Sequence, residues 1–127
     1  MSQDFYLGNP NLKKVGTDIN FTQDQVQEYL KCKEDPVYFA MNYIKIISLD
    51  EGIVPFKMWD FQQELIESFH EHRFNIAKLP RQTGKSTTCV SYLLHYILFN
   101  DNVNVGILAN KLSTARDLLS RLQLAYE

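Results

Sequence analysis

Apolar positions recur along the chain with two different periods. In "FTQDQVQEYLKC" they are sparse and helically spaced, with Thr22 placed to cap and Gln25 three residues on to complete a capping box. "EDPVYFAMNYI" predicts a second helix, capped by Asp35 with Pro36 in its first turn. "KIISLDEGIVPFKM" changes period: β-branched runs flank Asp50-Glu51-Gly52, the pattern of a hairpin. "DFQQELIESFHEH" returns to helical spacing, with Phe61, Leu65, Ile66 and Phe69 on one face.

The second half reads differently. "FNIAKL" is a short apolar strand pattern and "PRQTGKS" a loop. "TTCVSYLLHYILF" is apolar on nearly every side, which predicts a buried helix. "DNVNVGILAN" predicts a turn and a second strand. "LSTARDLLSRLQLAYE" predicts a helix with Leu112, Ala115, Leu118, Leu119, Leu122 and Ala125 along one side. Strand, helix, strand, helix is the order of a parallel α/β sheet. The expected organisation is an extended arm over 1–20, a helical and hairpin lead-in over 21–72, and the first part of an α/β core over 73–127. Two strands are fewer than such sheets hold, so the chain reads as the front part of a larger protein.

Composition narrows the class little. The chain of 127 residues is 45% hydrophobic and 22% charged, the balance of a globular domain with a core. A formal charge of −2 gives no broad electrostatic argument for nucleic acid. "MSQDFYLGNP" does not read as a secretory signal. The longest apolar run, Cys89 to Phe99, is far shorter than the ~20 residues of a bilayer span. Cys32 and Cys89 read as free thiols in a reducing compartment.

The chemistry concentrates at Gly84-Lys85-Ser86, which has the form of the end of a phosphate-binding loop. Such a loop turns backbone N–H groups inward around a phosphate and adds the positive end of the following helix. Glycine lets the backbone come close, lysine reaches the outer phosphates, and the hydroxyl ligates Mg²⁺. Leu79 stands where the first glycine of the signature belongs, which is tolerable if its φ stays negative. The bland alternative is a chance tripeptide at a helix start; the apolar strand pattern before it and the apolar helix after it favour the loop. Arg81 lies within the loop. It either stabilises charge on a transferring phosphoryl group or pairs with a carboxylate and shapes the loop.

"LPRQTGKSTT" resembles the phosphate loop of large terminase subunits, the DNA-packaging motors of tailed phages, most nearly those of T-even-type phages and their cyanophage relatives. That family lacks the first glycine and carries the loop arginine. "DPVYFAMNYIKIISLDEGIVPFKMWDFQQELI" is similar to its lead-in and "VGILANKLSTARDLL" to the segment after its first ATPase helix, so the resemblance runs from about Phe21 to the end. It implies an additional-strand P-loop NTPase with a parallel sheet, related to helicases, that uses ATP and Mg²⁺. By the same carry-over, Pro80, Arg81, Gln82, Thr83, Gly84, Lys85, Ser86 and Thr87 would hold phosphate, and Ser86 the metal. Arg81 would be an arginine finger acting in cis. Gln62 in "DFQ" would contact adenine, with Gln63 in reserve; otherwise Gln62 is a surface helix residue. The implied partners are double-stranded viral DNA, a portal protein and a small terminase subunit, in a ring on the portal in the host cytoplasm, with no membrane. The family's catalytic Asp-Glu segment and nuclease domain have no counterpart in these residues; "LDEG" at Leu49 reads as a turn. The chain is therefore expected to bind nucleotide but to hydrolyse it poorly alone. A superfamily-2-type helicase fragment and a non-catalytic nucleotide-binding or interaction module are the alternatives.

Smaller features have plain readings. "HEHR", His70 to Arg73, reads as a solvated helix end, since i and i+2 point to different sides. His95 reads as a satisfied core histidine. Tyr38, Phe39, Tyr43, Phe56, Trp59 and Phe61 read as core packing before base stacking. Arg116 and Arg121 read as a solvent face or as phosphate contacts. Cys89 reads as a small buried hydrophobe.

Overall fold

The computed structural model describes residues 6–9 and 12–126. Of the expected extended arm, residues 1–5, 10 and 11 lie outside the described residues; the rest holds a single 3-10 turn, Tyr6–Gly8. Five helices and one hairpin follow: α1 (Gln23–Glu34), α2 (Pro36–Tyr43), β1 (Lys45–Ser48), β2 (Gly52–Pro55), α3 (Asp60–Glu71), α4 (Lys85–Phe99) and α5 (Leu112–Tyr126).

Local chemistry sets the helix starts. Thr22 Oγ1 accepts from the Gln25 N–H at 3.3 Å, while Gln25 Oε1 accepts from the Thr22 N–H at 2.9 Å, so both halves of the capping box form. Asp35 Oδ1 accepts from the N–H groups of Val37 and Tyr38, each at 3.0 Å, and Pro36 occupies the first turn of α2. β1 and β2 pair antiparallel, Ile46 opposite Val54 and Ile47 opposite Ile53. Asp50 and Glu51 sit in the turn between them, and Gly52 closes it at φ 75°, where a side chain would be strained.

The core lies where α2, α3 and α4 meet. Phe39, Ala40, Ile44, Phe56, Met58, Ile66 and Leu94 are buried together with Cys32 of α1. Tyr92 ties α4 to α3 by donating its hydroxyl proton to the Phe69 carbonyl at 3.2 Å. α5 packs against α4 with Leu122 and Ala125 half-buried, but Leu112 and Leu119 of its apolar side are exposed.

The parallel α/β sheet of an additional-strand P-loop NTPase is overturned. The molecule is mostly helical, and its one sheet among the described residues is the antiparallel pair β1–β2. "FNIAKL" and "NVGIL" form no ladder; Phe74, Ile76 and Leu108 are 82%, 101% and 98% exposed. A strand exists only when a neighbour takes up its backbone N–H and C=O groups, and an apolar run does not itself supply that neighbour. The expectation of a buried α4 holds for one side of the helix. Thr88, Val90, Ser91, Leu94 and His95 are buried, but Tyr96, Ile97 and Leu98 face outward.

Candidate functional site: the Pro80–Thr87 loop

The loop is built by backbone hand. Gln82 has φ 60° and Gly84 φ 71°, both left-handed, whereas Thr83 and Lys85 keep negative φ. The left-handed Gly84 followed by the helical Lys85 tilts their N–H groups toward a common side, the arrangement of an anion-binding nest. Gly84 then serves as the N-cap of α4, and no side chain caps that helix. The N–H groups of its first turn, Lys85 to Thr87, therefore stay free for a ligand or water. The Gly84 carbonyl accepts both the backbone N–H and the hydroxyl proton of Thr88, each at 2.9 Å, which fixes the start of α4 from within. Thr83 Oγ1 donates to the Pro80 carbonyl at 3.0 Å and closes the other side of the turn. Leu79 keeps negative φ, as the missing first glycine requires.

Beneath the loop lies Gln62, only 4% exposed. Its Oε1 accepts from the Trp59 N–H at 3.0 Å and caps α3; its Nε2 donates to the Thr83 carbonyl at 3.1 Å. One amide thus joins the start of α3 to the phosphate-type loop. It also explains Gly84 sterically: a Cβ there would lie 2.6 Å from Gln62 Nε2. The expected adenine contact at Gln62 falls on an amide whose two ends already have protein partners. It retains one hydrogen and one lone pair, held under the surface. Gln63 is half-buried on α3.

The charged groups lie on the open side. Arg81, Gln82 and Lys85 are exposed, and Ser86 and Thr87 half-buried. Lys85 Nζ reaches back toward the Leu79 carbonyl at 3.5 Å, the limit of a hydrogen bond. Among the described residues the Arg81 guanidinium and Ser86 hydroxyl have no hydrogen-bond partner, so the loop-shaping carboxylate pairing of Arg81 is not formed. An uncapped helix start, a nest of alternating hand, two cations and a free hydroxyl suit a triphosphate with a divalent ion.

Elsewhere the candidates separate. His95 Nε2 lies 2.8 Å from the Cys32 carbonyl. A carbonyl can only accept, so Nε2 carries the proton. Burial pushes the His95 pKa down, His70 adding to this and the Cys32 and Lys33 carbonyls opposing it. His70 packs near Tyr92 and His95, and no metal-holding group of His, Cys, Asp or Glu occurs among the described residues. Phe39 and Phe56 are core residues, Tyr38 and Phe61 half-buried, Tyr43 and Trp59 exposed. Arg116 and Arg121 are exposed, the latter paired with Asp117 at 3.1 Å. Both cysteines are free, Cys32 buried and Cys89 half-buried.

Sequence reasoning missed three features. Gln at N3 of α3 signals a capping box, but Trp59 at the N-cap hides it, because Trp is not a capping residue. The left-handed Gln82 has no local signal, since glutamine has no preference for that region. Glu28 accepts the hydroxyl protons of both Tyr38 (2.7 Å) and Tyr43 (2.9 Å), which holds its carboxyl below the usual range and pushes Tyr43 up to about 12. That clamp joins residues far apart in sequence. No protein-family model matches the chain. No helix among the described residues is long and apolar enough to cross a membrane.

Proposed function

We propose that the chain binds the triphosphate of ATP with Mg²⁺ at Pro80–Thr87, and that it is the ATP-binding N-terminal part of a viral DNA-packaging motor of the large-terminase kind. The observation that carries the nucleotide reading is the turn with left-handed Gln82 and Gly84 leading into an uncapped α4. The motor reading rests on the resemblance of "LPRQTGKSTT" and its flanking stretches.

In this reading the N–H groups of the loop and of the first turn of α4 bind phosphate oxygens. Lys85 leaves its weak contact with Leu79 and pairs with the outer phosphates. The Ser86 hydroxyl is a ligand for Mg²⁺, which when bound neutralises phosphate charge. Arg81 places a second cation on the transferring group. Gln62 holds the loop from below. In a motor of this kind ATP hydrolysis drives double-stranded viral DNA into a preformed capsid in the host cytoplasm. The portal protein and small terminase subunit are its partners, and a ring is the working assembly.

The test is equilibrium binding of a fluorescent ATP analogue to the purified chain, with and without Mg²⁺, beside Lys85→Ala. Lys85 is exposed, so the variant should fold, which circular dichroism checks. Mg²⁺-dependent binding that disappears in Lys85→Ala is the expected result. Equal affinity of the two folded proteins would sink the reading.

A further inference from the structure

Residues of α1, α2 and the end of α4 line an open cavity of ≈ 290 Å³. Four of them are aromatic, Tyr29, Phe39, Tyr43 and Phe99, and they are joined by Glu28 and Cys32. The rings form one continuous set. Centroid to centroid, Tyr29 lies 5.1 Å from Phe99, Phe99 5.4 Å from Phe39, and Phe39 6.0 Å from Tyr43. Phe39 is buried, whereas Tyr29 and Tyr43 are 52% and 49% exposed. Glu28 is the one charged residue of the lining. The hydroxyls of Tyr38 and Tyr43 both donate to its Oε1, at 2.7 and 2.9 Å, and so favour the carboxylate. Among the described residues Glu28 forms no ion pair. Lys31 lies over the Tyr38 ring, 4.1 Å from its centroid, and does not line the cavity. Cys32 adds no charge, because burial and the nearby Glu28 push its thiol up. The hydroxyl clamp ties α1 to α2, but a neutral acceptor would do that without setting a charge in an aromatic wall.

We infer that this cavity is a binding site for a quaternary or methylated ammonium group, which the aromatic rings surround and the Glu28 carboxylate neutralises. Aromatic faces carry negative charge density and attract a cation, most strongly where it has left water. A bare ammonium is strongly hydrated and leaves water reluctantly. Methyl groups loosen that hydration and meet the rings as apolar surface. The volume lies at the lower edge of the ~300–1,000 Å³ of ligand pockets, so the cavity takes one small group and not a large ligand. That group comes either from a free molecule of the choline type or from a methylated lysine of another protein. The site is separate from the proposed triphosphate site, since no residue of Pro80–Thr87 lines it.

The whole chain is titrated by NMR with choline and with its uncharged isostere, in which a tert-butyl group replaces the trimethylammonium. Choline should shift the ring signals of Tyr29, Tyr43 and Phe99 and bind several-fold more tightly than the isostere. Tyr29→Leu keeps apolar bulk at an exposed position and removes one ring. It should weaken choline roughly 2- to 30-fold, the range of one ring on one cation. Glu28→Gln still accepts both tyrosine hydroxyls but has no charge, so it should weaken choline and leave the isostere unchanged. Circular dichroism checks that each variant folds, and Tyr29→Leu decides the matter if Glu28→Gln does not. A glycine- and serine-based peptide bearing one trimethylated lysine separates the two sources. Tighter binding of the peptide than of choline assigns the site to a protein side chain, and the reverse order to a free molecule; either upholds the site. Equal binding of choline and the isostere, unchanged choline affinity in folded Tyr29→Leu, or no binding of choline or peptide by the folded wild-type chain overturns the inference.

Discussion

Replacing Gln62 by Glu changes one amide NH₂ to an oxygen, and the structure fixes what that oxygen meets. Oε1 keeps its bond from the Trp59 N–H, but the group facing the Thr83 carbonyl at 3.1 Å must donate. A carboxylic acid can do so; a carboxylate cannot. With only 4% exposure, the ionised form loses one hydrogen bond, about 1 kcal/mol, and is desolvated against another acceptor, about 2–3 kcal/mol more. The total of about 3–4 kcal/mol corresponds to a folded pKa raised roughly 2–3 units above the usual ~4.3. A raised folded pKa gives stability that is fully present below the unfolded value and is lost as pH rises through the folded one. Gln62→Glu should therefore nearly match the wild type at pH 4, lose stability between about pH 4.3 and 7, and stay low above. Gln62→Ala removes the α3 cap, the loop bond and a methylene, each about 1 kcal/mol, and should be destabilised by about 2–4 kcal/mol at every pH. Urea unfolding of all three proteins from pH 4 to 8 measures this. Subtracting the wild type removes the titration of other groups. A constant difference between Gln62→Glu and wild type across that range would refute the buried donor to Thr83.

Two further outcomes follow from the same geometry. Gly84→Ala puts a methyl 2.6 Å from Gln62 Nε2 on a residue at φ 71°, and should lower stability by about 1–3 kcal/mol in thermal melts; an unaffected melting temperature would mean that the loop is not held in this form. His95 has a folded pKa below its ordinary 6.5, because burial disfavours the cation. Its stabilisation is present above about pH 6.5 and is lost as pH falls toward the folded value, with a slope of at most about 1.4 kcal/mol per pH unit. His95→Gln can still donate to the Cys32 carbonyl and should flatten the loss of stability between pH 7 and 5; an unchanged slope would refute a buried neutral His95 as its source.

The elements legible in the sequence are those whose causes are local. Thr22 with Gln25, and Asp35 with Pro36, start α1 and α2 through groups at most three residues apart. The turn at Leu49–Glu51 follows from Gly52, and the start of α4 from Gly84, because each needs positive φ. That His95 belongs to the core is legible too, as a lone histidine on an apolar stretch, but the carbonyl that accepts its N–H is that of Cys32, sixty-three positions away, and only the fold supplies it.

Tertiary structure decided whatever needs a partner distant in sequence. "FNIAKL" and "NVGIL" have strand-like composition, yet a strand's hydrogen bonds come from another segment, and the fold brings none to them among the described residues. The apolar pattern of α4 could not say which faces α2, α3 and α5 would cover, so Tyr96, Ile97 and Leu98 remain outside. Gln62 shows the difference most directly. Its sequence neighbours make it a helix residue, but its partner is Thr83, twenty-one positions away. Only the packing of α3 against α4 turns it into the brace beneath the loop. Local propensity acts through a few covalent bonds and can be read in order; packing and long-range pairing depend on the whole chain's path and can be read only from the folded form.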